Sequence, residues 1–292
     1  MRISPSPGVI QVRIYWMLAS VMSLWLLMSG SGQAAEVAIY ARSNTQFDQR
    51  NEYPVKLLEM ALRNSGADIT LESSKEIIPQ GRAMNLVLHN EGVHVLWAMT
   101  SEEREIELLP IKVPIYKGLI GWRLCIVHPD NADRLAGITS LAELRGVVFV
   151  QGHDWPDLEI LRSNQLMVES VSNYQAMFKM IGARHVDAFP RAVIEIWPEV
   201  EAHDNLQVDS HLLIRYPAAV YYFVNRQNKP LHDAISAGLN TSIANGDFER
   251  LFNAFYSDAI NRAQLEHRKI IDLKNPLLPT DTPIDNLSLW YR

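Results

Sequence analysis

An α/β fold on mostly parallel sheets is predicted by three features of this 292-residue chain. From residue 36 onwards, short apolar runs of strand length alternate with helix-length segments carrying apolar residues near helical spacing. Pro54 stands where a helix should open, and Gly66 and Gly182 where helices should stop. The composition, 48% hydrophobic and 21% charged, supplies ample core and excludes a disordered chain.

The elements follow in order. Residues 37–40 (VAIY) are an apolar strand. Residues 54–66 are a helix in which Val55, Leu58, Met60, Ala61 and Leu62 recur near helical spacing. Residues 68–72 (DITLE) alternate as a strand, 81–89 read as a helix and 93–98 (VHVLWA) as the next strand. This βαβαβ opening implies parallel pairing with right-handed crossovers. A second unit begins near residue 119, with strands at 124–127 (LCIV), 147–150 (VVFV), 168–171 and 186–189. Its helices are expected at 156–164, 174–181 and 193–200. Residues 219–224 (AVYYFV) form another strand, and 231–256 two helical stretches broken at Asn245-Gly246. Beyond Asn275, Pro276, Pro279 and Pro283 make an irregular tail that can wrap the surface.

Residues 1–35 stand apart. Arg2 and Arg13 precede the uncharged, mostly apolar run 14–28, which small residues follow, and no acidic residue occurs. This is the three-part pattern of a secretory signal peptide, and the run is short of the roughly 20 residues a spanning helix needs. Gly32 and Ala34 suit cleavage after Ala34, and cleavage after Ala35 would leave Gln33 at the −3 position. An uncleaved anchor is the alternative.

Charge and cysteine narrow the function. The net charge of −6 becomes −8 once Arg2 and Arg13 are removed, which argues against nucleic acid as a partner. The single cysteine, Cys125, excludes an internal disulfide and a multi-cysteine zinc site; it lies in an apolar strand run, where a buried thiol is expected. No Gly-rich phosphate loop, HExxH or GxSxG occurs, and the nine histidines show no metal spacing.

Four stretches together resemble the periplasmic solute-binding proteins of amino-acid importers, the type 2 two-lobed fold. They are LLEMALRNSGADITLE, VHVLWAMTSEERE, SLAELRGVVFVQGHDW, and the pair MIGARHVDAFP and YYFVNRQNKPLHDAISAGLNTSIANGDFERLFNAFY. The resemblance covers nearly all of residues 36–257. It implies two α/β lobes joined by two crossing strands, near residues 118–123 and 214–219, with ligand held between the lobes. Lobe 1 would comprise 36–118 plus 219–292, and lobe 2 residues 119–218.

The resemblance places the family's carboxylate-binding arginine at Arg104, and a guanidinium does fork onto a carboxylate through two charge-assisted hydrogen bonds. Thr100 or Ser101 would cap the helix that follows and offer a hydroxyl to the ligand. The plain alternative is a capped, acidic first turn with a solvated arginine. Trp97, which ends the strand before this turn, can stack on a ligand or pack in the core. His153 and Trp155 lie at the strand-to-helix turn of lobe 2, where the family contacts ligand, although His153 or Asp154 can equally be a helix cap. After Val186-Asp187-Ala188 the family carries a carboxylate for the ligand's ammonium group. Here Pro190, Arg191 and Ala192 stand instead, so Arg191 opposite Arg104 suggests an anionic ligand, unless Arg191 simply pairs with Glu195 four residues on. Arg42 and Arg82 are weaker candidates.

The expected protein is therefore a periplasmic, monomeric, non-enzymatic binding protein for a small polar, anionic or amino-acid-like ligand. It would need no cofactor or metal, and its protein partner would be a membrane permease. The alternatives are a module signalling to a membrane sensor and a small-molecule lyase on the same fold, the latter to be tested at His153 or Asp154.

Overall fold

The structure is a computed structural model that describes residues 36–42 and 51–292, and the predicted signal segment lies outside the described residues. The chain runs β1 (Glu36–Arg42), α1 (Glu52–Ser65), β2 (Ile69–Ile77), α2 (Gln80–His89), β3 (Val95–Met99), α3 (Glu102–Glu107) and β4 (Leu109–Ile111). There follow β5 (Trp122–Val127), α4 (Ala132–Ala136), α5 (Leu141–Leu144), β6 (Val148–Gly152), α6 (Pro156–Ser163), β7 (Met167–Val171), α7 (Tyr174–Gly182), β8 (Phe189–Ala192) and α8 (Ile196–Glu201). The last elements are β9 (Gln207–Val208), β10 (Leu212–Arg215), β11 (Val220–Val224), α9 (Lys229–Ala244), α10 (Asp247–Ala263) and β12 (Lys269–Asp272).

Lobe 1 is organised on the sheet β2-β1-β3-β11-β4. Lobe 2 is organised on β12-β10-β5-β8, with β9 also beside β5; the parallel pair β6-β7 joins it through a bridge from Phe149 to Ala188. Pairing is mixed rather than mostly parallel. β1 and β3 are parallel, but β11 is antiparallel to both β3 and β4, and β5 is antiparallel to β8 and β10. The cause is topological: β5 and β11 each carry the chain into a lobe from the other one, so they enter against their neighbours. Both are almost wholly buried, which accounts for their unbroken apolar sequences, LCIV and VYYFV.

The two crossings lie side by side. The amide of Tyr216 donates to the carbonyl of Gly121 at 3.1 Å, and a Cβ on Gly121 would come within 2.1 Å of the Tyr216 carbonyl oxygen, so the closeness of the strands requires glycine.

Helix α1 buries Leu58, Met60, Ala61 and Leu62 as expected, together with Tyr53 and Leu57, whereas Val55 is only partly buried; it ends at Gly66 with φ +73°. It packs on α9 so tightly that a Cβ at Gly238 would fall 1.7 Å from the Ala61 carbonyl oxygen. The strand expected at 186–189 forms three residues later, as β8. Residues 269–272, expected with lobe 1, instead form β12, parallel to β10 at the edge of the lobe-2 sheet from Leu212 opposite Lys269 to Arg215 opposite Asp272. A four-residue run (KIID) between polar flanks gives too short a pattern for sequence to assign. Cys125 is fully buried, and burial pushes its thiol up.

Candidate functional site

A cavity of about 900 Å³ lies between residues 101–104 of lobe 1 and residues 153–156 with helix α6 of lobe 2. Pro276 and Leu277 of the C-terminal segment close a further side.

The lobe-1 wall is a capped helix start. Ser101 is extended and its hydroxyl accepts from the Arg104 amide at 3.2 Å, while Glu102, Glu103 and Glu105 supply the negative charge a first turn favours. The Arg104 side chain is half-buried. It donates to the Met99 carbonyl and, through Nε, to the Met84 sulfur at 3.3 Å, which engages two of the five donors a guanidinium carries. Burial lowers its pKa, against the raising influence of Glu103 and Glu107.

The lobe-2 wall begins where β6 ends. A Cβ at Gly152 would lie 2.7 Å from the Trp155 indole, so the glycine lets the tryptophan fold back over the strand end. His153 and Asp154 stand out into the cavity mouth, with 59% and 72% of their side chains exposed and 3.6 Å between Nδ1 and Oδ1. From Trp155 the wall continues along α6 through Leu158, Glu159 and Arg162, residues three, four and seven positions on, which is one helical face.

Four of the residues singled out from sequence therefore meet at this cavity: Ser101, Arg104, His153 and Trp155. Three do not. Thr100 is buried, with its hydroxyl donating to Glu105 at 2.5 Å and its amide to the Ala219 carbonyl at 2.8 Å, so both groups are committed within lobe 1. Trp97 packs between Tyr40 and Tyr222, at centroid distances of 5.9 and 6.3 Å. Arg191 is 3% exposed, gripped by Glu199 through bonds of 2.5 and 2.6 Å and by Glu195 at 3.2 Å. Burial works against the Arg191 charge, but Glu199 and Glu195 outweigh it and hold the pKa well above the usual arginine value. Its guanidinium lies off the cavity lining, behind Trp155, whose ring centroid is 4.9 Å away. Arg42, which donates to the Lys75 carbonyl at 2.6 Å, and Arg82 are also off the lining.

This arrangement corrects the charge expected of the site. The lining carries Glu102, Glu103, Asp154 and Glu159 against Arg104 and Arg162, an acidic balance, and the second arginine meant to face an anion is neutralised by carboxylates. Spacing in the sequence offers Glu195 as the partner of Arg191, whereas Glu199, eight residues away, is brought back beside β8 by the short helix α8. Among the described residues, no group of three or more His, Cys, Asp or Glu could hold a metal ion. Pro276 and Leu277 were not foreseen in the cavity wall, since nothing in a proline-spaced tail signals where it docks. The α6 face was legible in principle from its spacing.

No family model matches the sequence, and no curated protein does. Solved structures do. An ancestral arginine-binding protein bound to arginine has a TM-score of 0.54 at 14% identity, over 76% of this chain and 97% of its own. A periplasmic His/Glu/Gln/Arg/opine family-binding protein from Silicibacter pomeroyi, in complex with lysine, gives 0.55 at 10% identity over 77% and 97%. A histidine kinase sensor domain with similarity to periplasmic binding proteins gives 0.55 at 17% identity over 76% and 96%. At these identities the likeness establishes architecture, and the architecture agrees with the two sheets, the paired crossings and the cavity between them. The chain has the two-lobed α/β fold of the periplasmic amino-acid-binding proteins.

Proposed function

We propose that this protein is an exported solute-binding protein whose lobes close on a small amino-acid-like ligand. The observation that carries this reading is that residues 101–104 and residues 153–155, one set from each lobe, face each other across a single cavity. Arg104 and Ser101 receive the ligand's carboxylate, Trp155 and Leu158 its apolar part, and Glu102, Glu103, Asp154 and Glu159 favour a cationic group on it. This replaces the anionic ligand expected from sequence. Binding rather than catalysis is the reading favoured by the three similar structures described above, two of them binding proteins and one a sensor domain. Export accords with the apolar segment at residues 14–28 and with the fold; among the described residues no helix is long and apolar enough to cross a membrane.

The kinase sensor domain among the neighbours favours a second reading, in which the closed state is presented to a membrane sensor instead of a permease. Both readings require ligand binding first. A thermal-shift screen with amino acids and dicarboxylates tests that requirement. Ligand at about 100 times its Kd adds roughly 2.7 kcal/mol of stability. Stabilisation by L-lysine or L-arginine is expected; stabilisation by dicarboxylates alone would overturn the assignment of ligand charge.

A further inference from the structure

The C-terminal segment, residues 273–292, does more than cover surface. It starts on lobe 2, where the Leu273 amide donates to the Arg215 carbonyl at 2.7 Å, and Asn164 at the end of α6 both donates to the Lys274 carbonyl and accepts from the Lys274 amide, at 2.7 and 3.0 Å. Asn275 then donates to the Pro217 carbonyl in the second crossing at 2.9 Å. Pro276 and Leu277 pass along the ligand cavity. Beyond the cavity the segment is fixed to lobe 1: Asp281 pairs with Lys112, and buried Thr282 lies beside the hydroxyl of Tyr221 on β11. It finally returns to the first crossing. The Trp290 ring covers Gly118, where a Cβ would come within 2.4 Å of it, and the Tyr291 amide donates to the Lys117 carbonyl at 2.8 Å while its ring meets Trp122 edge-on.

A segment tied to both lobes and to both crossings changes length requirements whenever the lobes rotate apart. We propose that residues 273–292 form a strap that limits how far the lobes open and carries Leu277 into the ligand cleft as an apolar, ligand-positioning wall. The strap itself follows from the anchors alone; the role of Leu277 rests on the binding-protein reading above. In a hinged pair of lobes, every additional tether removes open conformations from the ligand-free ensemble, so less ordering remains to be done on binding.

The test uses the full chain with spin labels at Glu72→Cys on lobe 1 and Glu169→Cys on lobe 2, both exposed positions; the buried Cys125 is shielded from the label. Inter-lobe distances are measured without ligand in this background and in one also carrying Asp281→Ala and Trp290→Ala. The strap predicts a distribution shifted to longer distances in the released variant, with a cooperative unfolding transition retained. Superimposable distributions would overturn it. Leu277→Ala, which keeps every anchor, is expected to leave the distances unchanged and to weaken L-lysine or L-arginine binding about tenfold, the loss of roughly 1.4 kcal/mol of apolar contact. Unchanged affinity would remove Leu277 from the wall. Should the unaltered protein bind neither amino acid, the ligand reading fails, while the distance measurement still decides the strap.

Discussion

The lobe-1 wall of the cavity and the lobe-2 charge cluster behind Trp155 each hold an arginine that looks available in the sequence. Arg104 sits among three acidic neighbours on a helix start, yet among the described residues its guanidinium reaches a carbonyl and a sulfur rather than a carboxylate. Arg191 sits beside a proline and an alanine, with no acidic residue within three positions, yet two carboxylates enclose it. The cluster extends further: Glu195 is 3.9 Å from Arg123, and Arg123 pairs with Asp157 at 2.5 Å and donates to the Tyr216 hydroxyl at 2.9 Å. What decides whether a cation can serve a ligand is therefore the three-dimensional supply of carboxylates, which sequence neighbours do not report.

Removing Arg191 should have the largest effect. Arg191→Ala leaves Glu199 and Glu195, with side chains 10% and 17% exposed, facing one another without their main counter-charge. Breaking a buried pair on one side costs about 3–5 kcal/mol, readable as a lowered denaturant midpoint. An Arg191→Ala protein of unchanged stability that lost ligand binding would reverse the contrast and restore Arg191 to the cleft.

Arg104→Ala should show the opposite balance. Its hydrogen bonds are to neutral acceptors, so stability should change by about 1 kcal/mol or less. Affinity for L-lysine or L-arginine should fall about thirtyfold, the cost of roughly 2 kcal/mol for a lost charge-assisted carboxylate contact, measured by titration calorimetry. Equal losses of stability and affinity would mean that the arginine only holds α3 in place.

The same contrast explains how much could be read beforehand. Element types followed from local pattern: the α1 face, the Gly66 stop and the buried strand at 220–224 form as their sequences demand. The walls at Ser101, Arg104, His153 and Trp155 were legible because each lies at a strand-to-helix turn, where an α/β fold presents residues to ligand. Arg191, Thr100 and Trp97 were misplaced because their surroundings are set by α8, Glu105 with the Ala219 carbonyl, and Tyr40 with Tyr222, partners that only the tertiary structure defines. β12 was hidden because its four residues are stabilised by an edge of lobe 2 laid down more than fifty residues earlier.

A third charged pair, exposed instead of buried, sharpens the comparison at its weak end. Lys112 bridges Glu105 at 2.8 Å and Asp281, whose side chain is 71% exposed, on the strap. The hydrogen bond from Lys112 is the main cause that holds the Asp281 carboxyl below its ordinary range. Because the folded value is the lower one, the stabilisation is fully present above the unfolded aspartate value of about 4 and is lost as pH falls through the folded value. At this exposure it should amount to about 0.2–1 kcal/mol and shrink in high salt, unlike the Arg191 cluster. The measurement is the difference in unfolding free energy between the unaltered protein and Asp281→Asn across pH. That difference should be constant from about pH 5 upwards and close towards zero in more acidic solution, since protonation removes the charge from the aspartate that the asparagine already lacks. A gap that stayed open in strong acid would show that Asp281 holds the strap through its shape and hydrogen bonds, and the gradient from buried to exposed charge would lose its lowest point.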